Sequence, residues 1–342
     1  MSMPYRTRRT LRHLGVGALV LILVAVLVWM IWLLWLDRYV LYTREGAVLD
    51  FSLSDEGISG QEARPPEKEV TISIYYNEGE DQLNITTELT QMKGYYISID
   101  MLRQEYDEVL GILKKLPAQT PVMLDVKDMV GRFYYTSSLG PAGSGVEQEK
   151  VDELVRFLTA SDLYAIARVP ALRDYYHGLN NVPDGLPTSG GYLWMESGTN
   201  CYWLNPSASG TQTRLLQMAG ELKDLGFDEV VFSDFRFPQT DKIVFKGDKT
   251  QALTDCARLL VENCADTRFA VSFQVESPTQ PLPGGRSRMY LENQPAGEAK
   301  NLAQLSGLEN PEIYLVFVTD VNDTRFDAYS ALRPITTAQI EE

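Results

Sequence analysis

One uninterrupted apolar segment near the N-terminus constrains this chain more than any other feature. Residues 14–36 read LGVGALVLILVAVLVWMIWLLWL and contain no charged side chain. A helix of this length spans roughly 34 Å, enough to cross a hydrocarbon core of about 30 Å. Trp29, Trp32 and Trp35 lie near its C-terminal end, and tryptophan favours the membrane interface. The segment is therefore predicted to be a transmembrane helix.

The charges that flank this segment predict its orientation. Two arginines follow it, whereas four precede it: Arg6, Arg8, Arg9 and Arg12. Because the more positive flank stays in the cytoplasm, we expect a cytoplasmic tail over residues 1–13, a single pass through the cell membrane and an extracytoplasmic body. A cleaved signal peptide and a buried core helix are the alternatives. Signal peptides have a shorter apolar region and a small-residue cleavage site, and core helices are shorter and amphipathic.

The composition of the body excludes several classes of function. Beyond residue 45 the chain has 25 basic and 44 acidic residues, a net charge of −19 that disfavours nucleic acid as a partner. The only histidine there is His177, and no G-x-S-x-G motif is present, so neither a His-rich metal site nor a nucleophile elbow is expected. We expect no metal or cofactor. The cysteines lack zinc-like spacing and are expected to be free, although one bridge from Cys201 remains open.

The order of predicted elements indicates an α/β fold. Residues 37–68 are interpreted as a juxtamembrane strand and linker, and residues 69–92 as a hairpin extension. From residue 93 onward, five apolar strand candidates alternate with amphipathic helices, which is typical of a parallel sheet covered on both faces. RMYLEN and EIYLVFVT are candidates for later strands. The alternation alone leaves open a barrel or a doubly wound sheet.

Three segments within residues 93–276 occur in a recognisable order. They are PVMLDVKDMVGRFYYTSSL at 121–139, LYAIARVPALRD at 163–174 and WLNPSASGTQTRLLQMAGELKDLGFDEVVFSDFRFP at 203–238. Together they resemble a bacterial family of "putative glycosyl hydrolase" domains. The resemblance implies a TIM (β/α)8-like barrel over residues 93–342, related to retaining α-glycosidases, with its cleft at the carboxyl ends of the strands. The C-terminal end of this barrel is expected to be incomplete or modified.

Charged residues gather where the predicted strands end, which is where TIM barrels carry their active sites. Glycoside hydrolysis needs two carboxyl groups, one on each side of the scissile bond. Asp234 and Glu276 are the expected catalytic pair, with Asp234 as the nucleophile because Arg236 would keep it ionised. The expected carbohydrate-binding residues are Asp125, Lys127, Asp128, Arg168, Trp194, Trp203 and Arg236. The competing interpretation is that these charges form structural ion pairs and that both tryptophans belong to the core.

Two positions depart from the family pattern. Ser233 stands where the family carries an aspartate, one place before Asp234, and Gln274 stands where the next strand ends in an acid. Strand alternation would place Ser233 and Asp234 on opposite faces. A neutral amide cannot act as an acid or nucleophile.

The apolar segment and the family resemblance together imply a membrane-anchored glycoside hydrolase acting on cell-surface or environmental polysaccharide. The alternatives are an inactive carbohydrate-binding or scaffolding protein and a purely structural envelope component.

Overall fold

The computed structural model describes residues 25–26, 28–29, 40–43, 46–49 and 89–335. In the N-terminal unit, Val40–Thr43 and Gly46–Leu49 form an antiparallel pair of strands. Apart from four helical residues (25, 26, 28 and 29), the predicted transmembrane segment lies outside the described residues, as does most of the predicted linker and hairpin extension. Among the helices that are described, none has the length and apolar character needed to cross a membrane.

The C-terminal unit contains a closed barrel of eight parallel strands. The strands are β1 Lys93–Ile97, β2 Pro121–Asp125, β3 Tyr164–Pro170, β4 Glu229–Ser233, β5 Ala270–Gln274, β6 Met289–Glu292, β7 Leu315–Val318 and β8 Ser330–Pro334. Each strand pairs with the next in the chain, and β8 pairs with β1 to close the barrel. This closure excludes the doubly wound alternative and confirms the TIM-like α/β fold.

Helices cover most of the outside of the barrel. They are α1 Ile99–Leu113, α2 Gln148–Ala160, α3 Tyr175–Asn180, α4 Ser209–Asp224, α5 Lys249–Cys264, α6 Ala299–Ser306 and α7 Pro311–Tyr314. The side chains of Ser98 and Asp248 accept hydrogen bonds from the first turns of α1 and α5, which fixes where these helices begin. Between β5 and β6, within the described barrel, the connection contains no helix.

Strand side chains alternate between two apolar layers. A small cluster of strand side chains with Met92 fills the barrel interior, and it includes Ile166, Val231 and Tyr290. A larger cluster packs strands against helices, and Phe232 belongs to it. Because the interior and outer side chains of the strands are packed in these clusters, the residues at the carboxyl end of each strand are the ones that can face the barrel mouth.

The five predicted strands and the helices between them are confirmed, and the two later candidates contain β6 and β7. The expectation of an incomplete C-terminal end is wrong, because β8, which the sequence did not predict, pairs with β7 and β1 and completes the barrel. The three cysteines, all in the described part of the chain, are free and buried, as expected.

Candidate active site

At the carboxyl ends of the strands, the barrel mouth opens into a cavity of about 380 Å³. This volume lies in the range of small-molecule binding sites. Its polar lining comes from the ends of β1 to β6 and the segments that follow them: Ser98, Asp100, Arg103, Asp125, Lys127, Asp128, Tyr134, Arg168, Ser233, Asp234, Gln274 and Glu292. The structure therefore brings five of the predicted site residues to one cavity.

Arg168 holds two carboxylates together at the centre of this cavity. Its Nε and Nη2 donate to Oδ1 and Oδ2 of Asp125 at 2.5 and 3.0 Å, and its Nη1 donates to Oε1 of Glu292 at 2.9 Å. Burial opposes the charge of Arg168, but Asp125 and Glu292 hold the pKa of its guanidinium above the ordinary value. Two carboxylates share one guanidinium, so the triad Asp125–Arg168–Glu292 has an excess of negative charge.

Gln274 completes the arrangement around Glu292. Its Nε2 donates to Oε2 of Glu292 at 2.8 Å. Its Oε1 is buried and has no hydrogen-bond partner among the described residues. Because an unpaired buried acceptor is costly, this oxygen is a position where a ligand hydroxyl would be stabilised.

Asp234 reaches the cavity through an unusual backbone conformation. β4 ends at Ser233, and Asp234 follows with φ of 50°, in the left-handed region. Aspartate is among the few non-glycine residues that adopt this region. The turn interrupts strand alternation, so Ser233 and Asp234 both line the cavity. The prediction that they face opposite sides is wrong, because it extended the strand past its last residue.

The electrostatic environment of Asp234 also differs from the expectation. Burial raises the pKa of its carboxyl, and Arg173, Arg236 and Lys127 offset this only in part. Arg173 Nη1 donates to Oδ1 of Asp234 at 3.5 Å. The expectation that Arg236 would give Asp234 a lowered pKa is therefore wrong in direction. A carboxyl group with a raised pKa is suited to donate a proton.

Lys127 lies at the cavity floor and is engaged by protein groups. Its ammonium lies 3.2 Å from Oδ2 of Asp174 and donates to the carbonyl oxygens of residues 128, 170 and 173. Asp174 also caps α3 and contacts Arg214 at 3.4 Å. Burial disfavours the charge of Asp174, yet Lys127 and Arg214 hold the pKa of that carboxyl below its usual value. These contacts fix the loops after β2 and β3.

Asp128 organises the same loop. Its Oδ1 accepts hydrogen bonds from the backbone N–H groups of Val130 and Arg132, at 3.0 and 2.8 Å. Its other oxygen lies 3.7 Å from Nε of Arg132. These bonds shape the turn after β2 that forms one wall of the cavity.

A second cavity, of about 540 Å³, adjoins the loops after β3, β4 and β5. Trp194, Arg236 and Glu276 line it, and none of the three lines the first cavity. Glu276 is exposed and accepts a hydrogen bond from Nε2 of Gln239. The structure therefore does not bring the predicted pair, Asp234 and Glu276, to one cavity.

Trp203 is fully buried and lines neither cavity. Its ring contacts two guanidinium groups, with centroid distances of 5.3 Å to Arg173 and 4.8 Å to Arg236. Such cation–π contacts orient the two arginines. The expected sugar-binding role of Trp203 is therefore corrected: its faces are covered by protein.

The family profile described as "Putative glycosyl hydrolase domain" matches residues 94–272, just over half of the chain. The chain belongs to this family. The match spans β1 to β5 and so includes Asp125, Arg168 and Asp234, but it ends before Glu292. No curated protein sequence matches the chain.

Several solved structures are similar to parts of this glycosyl-hydrolase-like chain. A hypothetical protein from Ruminiclostridium thermocellum is 18% identical, with 52% of this chain and 96% of that chain covered and a TM-score of 0.45. A GH20 exo β-N-acetylglucosaminidase from Vibrio harveyi, in complex with N-acetylglucosamine, is 11% identical, with a TM-score of 0.49. The alignment covers 72% of this chain and half of that enzyme. The glycoside hydrolase domain of PelA from Pseudomonas aeruginosa is 13% identical, with 72% and 94% covered and a TM-score of 0.45.

Three residues of the site were not predicted from the sequence. Glu292 ends the candidate strand RMYLEN, so its position after an apolar strand was an available signal. Arg173 and Glu196 belong to the long loop after β3. They contact each other at 2.5 Å, and no periodic pattern in the sequence indicates this contact. Across the described residues, no group of three or more His, Cys, Asp or Glu side chains is arranged to hold a metal ion.

Proposed function

We propose that the chain is a glycoside hydrolase that acts on polysaccharide at the carboxyl-end cavity. The observation that carries the proposal is that Asp234 and Glu292 line one cavity in contrasting environments. Burial raises the pKa of Asp234, whose contact with Arg173 is 3.5 Å long, whereas Glu292 accepts hydrogen bonds from Arg168 at 2.9 Å and from Gln274 at 2.8 Å. Contrasting environments of this kind assign acid and base roles to paired carboxyl groups. In this proposal Glu292 replaces Glu276 as the partner of Asp234, and Asp234 is the proton donor rather than the nucleophile expected from the sequence.

Asp234 is the proton donor in this proposal. It gives its proton to the glycosidic oxygen as the bond from that oxygen to the anomeric carbon breaks, and the leaving sugar departs as an alcohol. A water molecule then adds to the anomeric carbon and returns a proton to Asp234. The net reaction consumes one water molecule, as hydrolysis requires.

The triad Asp125–Arg168–Glu292 stabilises the positive charge that develops at the anomeric carbon. Transition states of glycoside hydrolysis resemble oxocarbenium ions, so an excess of negative charge lowers their free energy. Arg168 fixes both carboxylates in place, and Gln274 orients Glu292 from its other oxygen. The unpaired Oε1 of Gln274 then accepts a hydrogen bond from a sugar hydroxyl.

The location that we propose follows from the sequence. The apolar segment at 14–36 anchors the chain in the cell membrane, and the arginines before it keep the N-terminus cytoplasmic. A protease added to intact cells should then degrade the body and spare the N-terminal tail. A body that resists the protease would contradict this orientation.

A second candidate is a protein that binds carbohydrate without hydrolysing it. The observation that favours it is Gln274, an amide at a strand end where the family pattern has an acid. Under this alternative, Arg168 neutralises the carboxylates for binding alone.

Release of reducing ends from a panel of polysaccharides distinguishes the two candidates. The full-length chain should release them, and Glu292→Gln should lose the activity while still binding the same glycan. Glu309→Gln is the matched control, because it makes the same change at an exposed position outside the site. Binding by the wild type without release would favour the second candidate. Loss of activity in Glu276→Gln but not in Glu292→Gln would restore the pair expected from sequence.

A further inference from the structure

We propose that the second cavity, lined by Trp194, Arg236 and Glu276, is a subsite for an acidic sugar residue. The substrate would then be a polysaccharide that contains uronic acid. This inference rests on the proposed function and deepens it, because it names the chemical class of the substrate. At about 540 Å³ the cavity lies in the range of small-molecule sites.

The cations of this cavity are available to a ligand. Arg236 forms no salt bridge among the described residues: its charge acts on Asp234 without direct contact, and its guanidinium donates only to the adjacent carbonyl of Phe237, at 3.4 Å. The ring of Trp203 holds that guanidinium in place. The ammonium of Lys242 is exposed and has no partner in the described part of the chain. Arginine presents a planar pair of donors that matches a carboxylate.

The carboxylates of the cavity are less available. Glu196 is bonded through Oε2 to Arg173 at 2.5 Å and to Thr199 at 2.8 Å, so this oxygen is engaged by protein groups. Glu276 is the remaining carboxylate and accepts a hydrogen bond from Gln239. The lining thus contains two carboxylates and two cations, and among the described residues only the cations lack an ion pair or a hydrogen bond to another side chain. These two unpaired cations favour an anionic ligand.

An aromatic side chain supports a sugar rather than a simple anion. Trp194 is partly buried, packs against the core and also lines the cavity. An indole ring offers a rigid apolar surface against which the C–H face of a sugar can lie. The combination of a ring with an unpaired guanidinium fits a sugar that bears a carboxylate.

Arg173 connects this subsite to the first cavity. Its Nη2 contacts Glu196 in the second cavity, and its Nη1 contacts Asp234 in the first, at 2.5 and 3.5 Å. One side chain therefore separates the proposed proton donor from the proposed subsite. Adjacent sugars of one polysaccharide chain can occupy the two cavities on either side of it.

Calorimetric binding of uronic acid oligosaccharides tests the inference, with their neutral methyl esters as matched ligands. The full-length wild type should bind the acids about tenfold more tightly than the esters, and added salt should reduce this preference. Arg236→Met should weaken binding of the acids about 10- to 100-fold, and Lys242→Met about two- to fivefold, with the esters unaffected. Lys246→Met, which changes an exposed lysine outside the cavity, is the control.

Lys242→Met keeps the test decisive if Arg236→Met fails to fold, because Lys242 is exposed and makes no side-chain bond. Equal affinity for acids and esters, or unchanged affinity in Lys242→Met, would overturn the inference. Hydrolysis of neutral glycans with no acid preference would overturn it and leave the proposed function standing. Acid-selective binding that depends on Lys242, without any hydrolysis, would support the subsite and contradict the hydrolase. If no oligosaccharide binds, both fail.

Discussion

The two ends of the barrel use charged residues in opposite ways. At the amino ends of the strands, Glu229 and Arg288 form an ion pair of 2.5 Å, with side chains 0% and 2% exposed. Tyr164 and Tyr290 also donate to Glu229, at 2.9 and 2.8 Å. At the carboxyl ends, Asp125 and Glu292 remain 21% and 34% exposed. The first cluster satisfies its own charges, whereas the second keeps carboxylates accessible to a ligand.

The lengths of the connections follow the same division. Left-handed backbone conformations occur at both ends, at Gln119 and at Asp234. At the amino ends, however, short turns connect helix to strand, and Gln119 N–H donates to the carbonyl of Asp162 in the neighbouring turn. At the carboxyl ends, long loops carry Arg173 and Glu196. One end of the barrel is therefore built for stability and the other for a ligand.

The largest expected effect is the difference in stability when an arginine is replaced by methionine at each end of the barrel. Arg288→Met should lower the free energy of unfolding by about 3–5 kcal/mol, because it leaves Glu229 buried without its cation. Arg168→Met should cost about 1–2 kcal/mol, since water can reach Asp125 and Glu292. Chemical denaturation of both variants measures the difference. Equal losses would break the distinction between the ends.

A smaller effect is expected at Tyr290. Tyr290→Phe removes the hydroxyl that donates to Oε1 of Glu229 and keeps the ring that packs in the barrel interior. It should cost about 1.5–3 kcal/mol, the range of a hydrogen bond to a charged group. Tyr192→Phe, at an exposed position, is the control and should be neutral. A neutral Tyr290→Phe would mean that Arg288 and Tyr164 satisfy Glu229 by themselves.

The smallest effect is a pH dependence that separates two aspartates near the mouth, Asp234 and Asp174. The folded state raises the pKa of Asp234 above 3.8, so its contribution to stability is present below that pH and is lost as the pH rises through the raised pKa. Asp234→Asn should therefore gain stability relative to the wild type as the pH rises above about 3.8. Asp174, whose pKa is lowered, should behave oppositely: Asp174→Asn should lose relative stability over a rise in pH toward 3.8. Parallel melting curves across pH check both signs, and a shared sign would contradict the assignment.

Sequence periodicity predicted the barrel's first five strands, and the apolar runs of β2 to β5 are buried on both faces. It did not predict β8, whose sequence SALRP contains arginine and proline and has only a short apolar core. Closure of the barrel depends on that strand. Without closure, Glu292 could not be placed beside Arg168, which lies 124 residues earlier in the chain.

Individual side chains of the site were harder to predict than the strands that carry them. Strand alternation fails at Asp234 because the backbone turns left-handed immediately after β4. The neighbour of Asp234 in sequence, Arg236, stacks on Trp203, while the direct hydrogen bond comes from Arg173. Burial sets the pKa of Asp234, and burial depends on loops that sequence patterns do not position.

The central claim is that the carboxyl-end cavity is catalytic and that Asp234 acts there as the proton donor. The most direct test is to measure kcat, glycan affinity and melting temperature of Asp234→Asn with a polysaccharide that the wild type hydrolyses. The account predicts that kcat falls about 10²- to 10⁴-fold, because the variant cannot donate the proton. Affinity should stay within about threefold and the melting temperature should not fall, since asparagine tolerates the left-handed backbone and Arg173 keeps Glu196 as a partner. An unchanged kcat, or a lowered melting temperature with unchanged turnover by the folded fraction, would contradict it.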